Sequence, residues 1–325
     1  MRDFIKKNFK FITKVIRSIK IKRKIRYDYH SFKNNWLYSR KTKEKIGYGI
    51  ILEAHALEKG MTNLSPRHFG SSKVNKIINY LEDYHYNNWD TDYAYNLGVS
   101  VLIEYCNFYE RNNWQDKEEY KRTKEYIKNK KTDVLSGAHI IYKNEFISDT
   151  SIDYKKFLES RHSFRQYLKK KISESDFKKC VEMSLLSPSA CNRQMCKIYY
   201  AKSDNIKKSI MKFCHGLTNF DNESVNLFII TYDVSSLCDV GEINQGMFNA
   251  GLFAMNFVNS MHSLGIGSCF LQYNVLKEED RKMKSILTIP DNEQVAVVIA
   301  AGYYPDKSVI TYSSRKPIEE VYRQI

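Results

Sequence analysis

A dense set of anion-binding side chains lies near the middle of the chain, in the sequence SRHSFRQY at residues 160–167. Arg161 and Arg165 can each hold phosphate oxygens through a planar fork of N–H donors. Ser163 adds a short hydroxyl donor, and His162 adds an imidazole. These residue types at this spacing predict a phosphate-binding segment. Taken alone, the cluster has a second interpretation, a basic strand end that faces solvent.

Three further motifs follow in order: SPSACNRQ at residues 187–194, GIGSCFLQ at 265–272 and SRKP at 314–317. With the first, they resemble the nitroreductase family of flavoproteins over roughly the second half of the chain. That family also includes flavin reductases, iodotyrosine deiodinase and the flavin-cleaving enzyme of benzimidazole synthesis. Four motifs in one order are far more specific than any one of them.

The resemblance implies an FMN site between the subunits of a homodimer. One group of matched residues would hold the phosphate, the ribityl chain and the pyrimidine edge, and its members are Arg161, His162, Ser163 and Arg165, with Arg315 joining them at the phosphate. A second group would approach the ring, partly from the other subunit, and its members are Pro188, Ser189 and Asn192. A third group would place backbone near the flavin N5 edge, and its members are Phe270, Leu271 and Gln272.

In such an enzyme the flavin carries the chemistry, so the resemblance implies no catalytic side chain. Hydride would pass from NADH or NADPH through flavin N5 to a small organic acceptor, such as a nitroaromatic compound or a quinone. Two departures from the family pattern lie near the expected acceptor face. Met195 and Cys196 follow the matched Gln where a Pro-Trp pair is common, and Gln272 stands where some members carry an acidic residue. The acceptor class and the choice between NADH and NADPH stay open.

The second half of the chain must supply the elements that position these motifs. Hydrophobic periodicity and caps predict helices at 173–186, 205–214, 241–264 and 277–287, and strands at 197–202, 225–232, 267–272 and 294–303. This mixture indicates an α+β domain, and the resemblance implies a mixed sheet flanked by helices. The helix at 241–264 is apolar around almost its whole circumference, which indicates burial on every side. A dimer interface explains this better than a core helix.

The first half reads as all-helical and basic, with helices predicted at 1–26, 44–61, 72–86, 92–111 and 117–131. Residues 132–151 lack a sustained period, so we divide the chain into a helical basic region at 1–150 and a nitroreductase-like FMN-binding domain at 151–325. His55 and Glu58 share a helix face, but two ligands without a third do not predict a metal site. We expect no metal in this protein.

The first helix carries apolar residues at helical spacing among many lysines and arginines. It could lie on an anionic membrane surface, or its apolar stripe could pack on the rest of the protein. The formal net charge of +15 attracts polyanions in general, but no nucleic-acid motif accompanies it, so we expect no nucleic acid partner. The alternative function is a flavin-binding or membrane-peripheral accessory protein in a surface-polysaccharide pathway. This half loosely resembles extensions of nitroreductase-like proteins encoded among surface-polysaccharide genes.

The seven cysteines are odd in number and irregular in spacing, which argues against a disulfide framework and favours a reducing compartment. No run of roughly 20 apolar residues predicts a membrane span, and the N-terminus lacks the apolar core and small-residue cleavage site of a secretory signal. We therefore expect a cytoplasmic protein, with the basic helix able to bring it to the inner face of the membrane.

Overall fold

A computed structural model describes residues 2–37, 41–62, 67–138, 153–215, 217, 220, 224–308 and 317–325, with the backbone alone for 2–11 and 320. The predicted boundary segment lies largely outside this part, because residues 139–152 are not described. Arg315 also lies outside the described residues.

The N-terminal half is helical, as predicted. Its elements are α1 (Arg2–Phe32), a π-helical turn (Lys33–Leu37), α2 (Lys43–Met61), α3 (Ser71–Tyr86), α4 (Tyr93–Arg111) and α5 (Glu118–Ile127). Thr42 and Asp92 cap α2 and α4, since each side chain accepts a hydrogen bond from a first-turn N–H. Helices α2, α3 and α4 pack around one apolar core, whose fully buried members include Ile50, Leu57, Ile77, Leu81 and Leu102.

The C-terminal half alternates helices and strands around one sheet. Its elements are α6 (Tyr154–Ser160), α7 (Glu174–Leu185), β1 (Cys196–Ala201), α8 (Asp204–Met211), β2 (Asn226–Asp233), α9 (Gln245–Ser263), β3 (Ile266–Leu271), α10 (Lys277–Leu287), β4 (Glu293–Tyr303) and α11 (Ile318–Val321). The strands lie in the order β1-β2-β4-β3, and all three neighbouring pairs are antiparallel. Parallel pairing occurs, within the described ranges, at the single bridge between Ser163 and Ser268. The predicted α+β class is confirmed, and the Ser163 side of this bridge lies outside the four strands of the antiparallel sheet.

The two inner strands form the centre of the core. Every residue of β2 is buried, because the strand has a neighbour on each side and helices cover its faces. Alternate residues of β2 belong to two core clusters on opposite faces of the sheet. Phe228 and Ile230 lie in the cluster under α9, and Leu227 and Ile229 lie in the other. This rigid sheet carries β3, against which the residues of the first motif lie.

Helix α9 is the predicted apolar helix, but it begins at Gln245 rather than Gly241. The preceding residues form a 3-10 turn (Val240–Glu242), in which the Asp239 side chain accepts from the Gly241 N–H at 2.8 Å. One side of α9 packs on the sheet and on α7. The opposite side exposes Met247, Phe248, Gly251 and Met255, so one chain alone does not bury the helix all round.

The N-terminal half is fastened to the C-terminal half at several points. The Tyr27 hydroxyl donates to Asp280 at 2.6 Å, and the Asn35 amide donates to the Asp291 carbonyl at 2.9 Å. Phe32 and Tyr48 pack against the core cluster under α9. Within the described residues, no helix combines the length and apolar character that a bilayer crossing requires.

Candidate functional site

The first motif runs alongside β3, which fixes the positions of its side chains. After α6 ends at Ser160, the Phe164 N–H donates to the Ser268 carbonyl at 3.0 Å. Tyr167 anchors the other end, because its buried hydroxyl donates to the carbonyls of Phe164 at 2.7 Å and Ala300 at 3.1 Å. The basic segment is therefore held against the sheet by backbone and buried side-chain contacts.

Three of the predicted phosphate-binding residues influence the Cys269 thiol of β3. Burial raises the pKa of the Cys269 thiol, while the positive charges of Arg165 and Arg161 and a hydrogen bond from Ser163 act to lower it. Within the part of the chain that the structure describes, neither Arg161 nor Arg165 has a carboxylate partner. Two uncompensated guanidiniums beside a hydroxyl form a donor set that suits a phosphate.

A histidine that the sequence analysis did not single out extends this cluster. His262 lies in the last turn of α9, with Nδ1 2.6 Å from the Tyr304 hydroxyl and Nε2 2.7 Å from the Ser160 hydroxyl. Burial lowers the pKa of His262, and the charges of Arg161 and His162 lower it further. Ser160 already donates to the Phe157 carbonyl, so the Nε2–H tautomer satisfies both contacts. A lone histidine on an apolar helix gives no sequence signal for this arrangement.

The second motif forms a tight loop with an unusual backbone. Cys191, Asn192 and Gln194 all have positive φ, at 51°, 53° and 50°. Such conformations cost a non-glycine residue roughly 1 kcal/mol each and cluster at functional sites. Ser189 stabilises the loop from inside, because its carbonyl accepts from the Asn192 N–H at 2.9 Å and its hydroxyl accepts from the Gln194 N–H at 3.0 Å.

Arg193 holds this loop to the body of the domain and was not predicted from the sequence. Its side chain is only 1% exposed and donates to the carbonyls of Ala190 at 2.9 Å and Ser236 at 2.6 Å. The guanidinium also binds both carboxylate oxygens of Glu242. The hydrogen bonds from Arg193 are the largest cause that lowers the pKa of Glu242 to about 2.

Helices of the N-terminal half lie beside the same loop. Helix α2 contacts the 3-10 turn at Ala190–Asn192, and the Gln194 amide lies 3.5 Å from the Tyr93 hydroxyl. A cleft of about 330 Å³ lies between α2 and the turn that follows β2, with Arg193 on one wall and Tyr48 on the other. The N-terminal helices therefore form part of the surroundings of the second motif.

The third motif, at residues 265–272, contains the whole of β3. Leu271 is buried, Phe270 and Gln272 are exposed, and β3 ends at Leu271. The Gln272 N–H donates to the His215 carbonyl at 3.3 Å, so this backbone donor is already engaged. Phe270 presents its ring to solvent at the strand end.

The predicted residues fall into separate groups on one chain. Arg161, His162 and Ser163 lie with Arg165 along β3, while Pro188, Ser189 and Asn192 lie in the loop that Arg193 anchors. No hydrogen bond or ion pair joins the two groups within the described ranges. The distance from His55 Nδ1 to Glu58 Oε2 is 3.5 Å. No group of three possible metal ligands occurs in the described part of the chain.

Comparison with known proteins finds the family that the motifs resemble. The model of the Nitroreductase family matches in two segments, residues 158–228 and 218–303. An Archaeoglobus fulgidus protein provisionally named NADH dehydrogenase/NAD(P)H nitroreductase is 26% identical over 153 residues, covering 47% of this chain and 86% of that protein.

Solved structures of similar proteins cover the same half. A nitroreductase family protein from Streptococcus pneumoniae is 20% identical, covers 53% of this chain and 100% of its own, and has a TM-score of 0.45. An FMN-dependent nitroreductase from Clostridium difficile is 20% identical and has a TM-score of 0.44. The match covers 52% of this chain and 98% of that protein. The match of the family model identifies a nitroreductase-family domain at residues 158–303, and a helical N-terminal extension precedes it.

Proposed function

We propose that this protein is an FMN-dependent oxidoreductase that uses NADH or NADPH to reduce a small organic acceptor. The observation that carries the proposal is the position of residues 161–165 along β3, fixed by the Ser163–Ser268 bridge, with no carboxylate partner for Arg161 or Arg165 in the described residues. Two guanidiniums left without an anion in a folded protein favour the binding of an external one. The FMN phosphate is the anion that the family relationship supplies.

The phosphate would lie between the two arginines, with the Ser163 hydroxyl as a third donor. His162 and Arg315 complete the proposed group, Arg315 on the strength of its motif alone. The His262 imidazole, whose pKa is lowered beside Arg161, avoids adding a further charge at neutral pH. We propose that it orients the segment through Ser160 and Tyr304 and does not contact the phosphate directly.

When bound, FMN would supply the redox chemistry, accepting hydride at N5 and passing it to nitroaromatic compounds, quinones or related acceptors. The chain's own task is to bind and orient. We propose that Pro188, Ser189 and Asn192 approach the ring, and that the strained backbone of their loop is kept in place by Arg193. Phe270, Leu271 and Gln272 would line the N5 edge, where the exposed Phe270 ring can exclude water.

A homodimer would bring the two separated groups of residues together. The face of α9 with Met247, Phe248, Gly251 and Met255 is exposed in one chain, and Phe248 is 62% exposed. Contiguous exposed apolar side chains on a helix otherwise buried in the core are typical of a subunit interface. With α9 packed on its counterpart, the loop of one subunit could reach the arginines of the other.

The visible absorption spectrum of purified, desalted protein tests the proposal. We expect bound FMN, identified by chromatography after release, and its loss in the double variant R161A/R165A. The matched control is R122A, which removes an exposed arginine of α5 and should keep the flavin. A colourless protein that also fails to take up added FMN would contradict the proposal.

Turnover separates this proposal from the alternative of an accessory protein. Flavin-loaded protein should oxidise NADH or NADPH in the presence of a quinone or a nitroaromatic acceptor. Stable flavin binding without any turnover, over a broad set of acceptors, would favour the accessory role.

A further inference from the structure

Residues 12–22 of α1 precede the part of the helix that is attached to the C-terminal half. The helix has 31 residues and is about 46 Å long. Its contacts with the C-terminal half lie near its end, where the Tyr27 hydroxyl binds Asp280 and the Ser31 hydroxyl accepts from the Gln294 amide. The buried Asp280 also accepts from Tyr273 at 3.0 Å, so this attachment is part of a fixed polar network.

Ahead of this attachment, α1 exposes a row of three isoleucines along one face, in addition to Ile21 and Ile25 on the opposite face. Ile12, Ile16 and Ile19 are 54%, 49% and 46% exposed, and their spacing places them on the same side of the helix. Isoleucine is among the residues most often buried in folded proteins. At these three positions the structure therefore does not show the alternative raised by the sequence, in which the stripe packs on the rest of the chain.

Cations surround this face. Residues 12–27 contain seven lysines and arginines and no acidic residue. Lys24 pairs with Asp28 at 2.9 Å, whereas no ion pair in the described residues involves the other six: Lys14, Arg17, Lys20, Lys22, Arg23 and Arg26. The surface is thus both apolar and strongly positive.

The same side of the helix leads into a basic cleft. Arg23 and Arg26 lie on the same face of α1 as the three isoleucines. Both arginines line a cleft of about 840 Å³ between α1 and α10. Lys277 and Arg281 of α10 line the opposite wall, and they too lack an ion pair within the described ranges. Glu278 and Asp291 also line the cleft, so its net positive charge comes mainly from α1.

We propose that α1, together with the edge of α10 at this cleft, docks the protein on the surface of an anionic lipid bilayer. Ile12, Ile16 and Ile19 enter the boundary between headgroups and acyl chains, and the flanking cations bind lipid phosphates. Basic amphipathic helices bind membranes through this combination of apolar burial and attraction to anionic lipid. The proposal concerns where the enzyme works and goes beyond its proposed reaction.

Two other occupants fit the surface less well. A second copy of α1 would place Arg23 and Arg26 at the positions that pair in a coiled coil, where like charges oppose association. Nucleic acid would neutralise the cations but would leave the row of isoleucines without a role.

Flotation with lipid vesicles tests the proposal on the full-length protein. We expect binding to vesicles of equal parts phosphatidylcholine and phosphatidylglycerol, little binding to phosphatidylcholine alone, and release at high salt. The triple variant I12Q/I16Q/I19Q should lose at least about tenfold in binding. The control I21Q/I25Q alters aliphatic residues that are similarly exposed, at 59% and 62%, on the opposite face, and should bind nearly as wild type.

A charge-reversal pair tests the electrostatic part. R23E/R26E should lower vesicle binding by at least about tenfold, whereas K121E/R122E, with the same change in net charge on α5, should lower it far less. All four positions are exposed, so an unchanged elution volume and circular dichroism spectrum will show that folding is retained. Equal binding to neutral vesicles, equal losses in test and control variants, or displacement from vesicles by duplex RNA at low ratios would overturn the proposal.

Discussion

The guanidinium of Arg193 binds both carboxylate oxygens of Glu242, with Nη2–Oε1 and Nη1–Oε2 distances of 2.7 and 2.8 Å. The arginine lies in the loop of the second motif, and the glutamate lies in the turn before α9. This pair therefore joins the loop proposed to approach the flavin to the helix proposed to form the dimer. Glu242 accepts two further hydrogen bonds from the backbone and thiol of Cys238.

Replacing Glu242 by Gln should destabilise the fold strongly. The change leaves the buried Arg193 charge without its anion, and loss of one partner of a buried pair typically costs about 3 kcal/mol or more. Urea unfolding of the apoprotein measures the change in free energy. The matched control is Glu174→Gln in the exposed pair with Lys178, which should change stability by less than about 1 kcal/mol.

The stabilisation by Glu242 should depend on pH in a defined direction. Its pKa is about 2 in the folded protein and 4.5 ordinarily, so the folded state favours the carboxylate. The contribution is fully present above about pH 4.5 and is lost as the pH falls towards 2. The difference in unfolding free energy between wild type and E242Q should therefore shrink over this range. A difference that stays constant from neutral pH to the acid limit would contradict this assignment.

Two glycines of α9 should respond oppositely to alanine. A methyl group at Gly246 would collide with the ring of Tyr232, whereas a methyl group at Gly251 would meet nothing within 4 Å. Gly246→Ala should therefore destabilise the protein. Gly251→Ala should leave the fold of one chain intact and raise its helix propensity by about 1 kcal/mol. Thermal unfolding of the two variants measures whether each change lowers or raises the stability of the protein.

Gly251 also tests the proposed dimer. Gly251→Arg should shift the protein from dimer to monomer, because it places a charge at the centre of the exposed apolar face of α9. Sedimentation velocity measures the change, and Ser263→Arg, at the exposed end of the same helix, is the control. Wild-type protein that sediments as a monomer at all concentrations would overturn the dimer proposal.

The attachment of α1 should weaken when the Tyr27 hydroxyl is removed. Tyr27→Phe deletes a hydrogen bond of 2.6 Å to the buried Asp280, and such bonds to charged groups contribute about 2 kcal/mol. Backbone hydrogen exchange should become faster in the last turns of α1. Tyr29→Phe should change little, because its ring is exposed and its hydroxyl makes no hydrogen bond to a described residue.

Local patterns in the sequence predicted most elements of the fold. Helix α10 has the predicted bounds, and β2 and β4 lie within one residue of theirs, since amphipathic and β-branched runs encode these elements directly. The Ser173 cap of α7 is confirmed, with its hydroxyl accepting from the Asp176 N–H at 3.0 Å. The Asp176 carboxylate, however, accepts from the Tyr303 hydroxyl, a partner that no local pattern specifies.

The candidate site was less predictable because its contacts depend on tertiary structure. Arg193 and Glu242 lie 49 residues apart, and His262 and Tyr304 lie 42 apart, so neither pairing is visible from spacing. Helix α9 begins later than its apolar pattern predicts, because Asp239 and Glu242 engage the backbone and Arg193 instead. The cation cluster could be recognised because its members are neighbours in the sequence.

The packing of Phe32 and Tyr48 against the core under α9 determines how the protein unfolds. These rings cover apolar surface of the C-terminal half, and Tyr48 also lies 3.4 Å from the buried carboxylate of Asp233. The extension and the nitroreductase-family domain should consequently melt together, as a single calorimetric transition in place of two. Cooperativity would then link the two halves of the chain, so that damage to either half lowers the abundance of both.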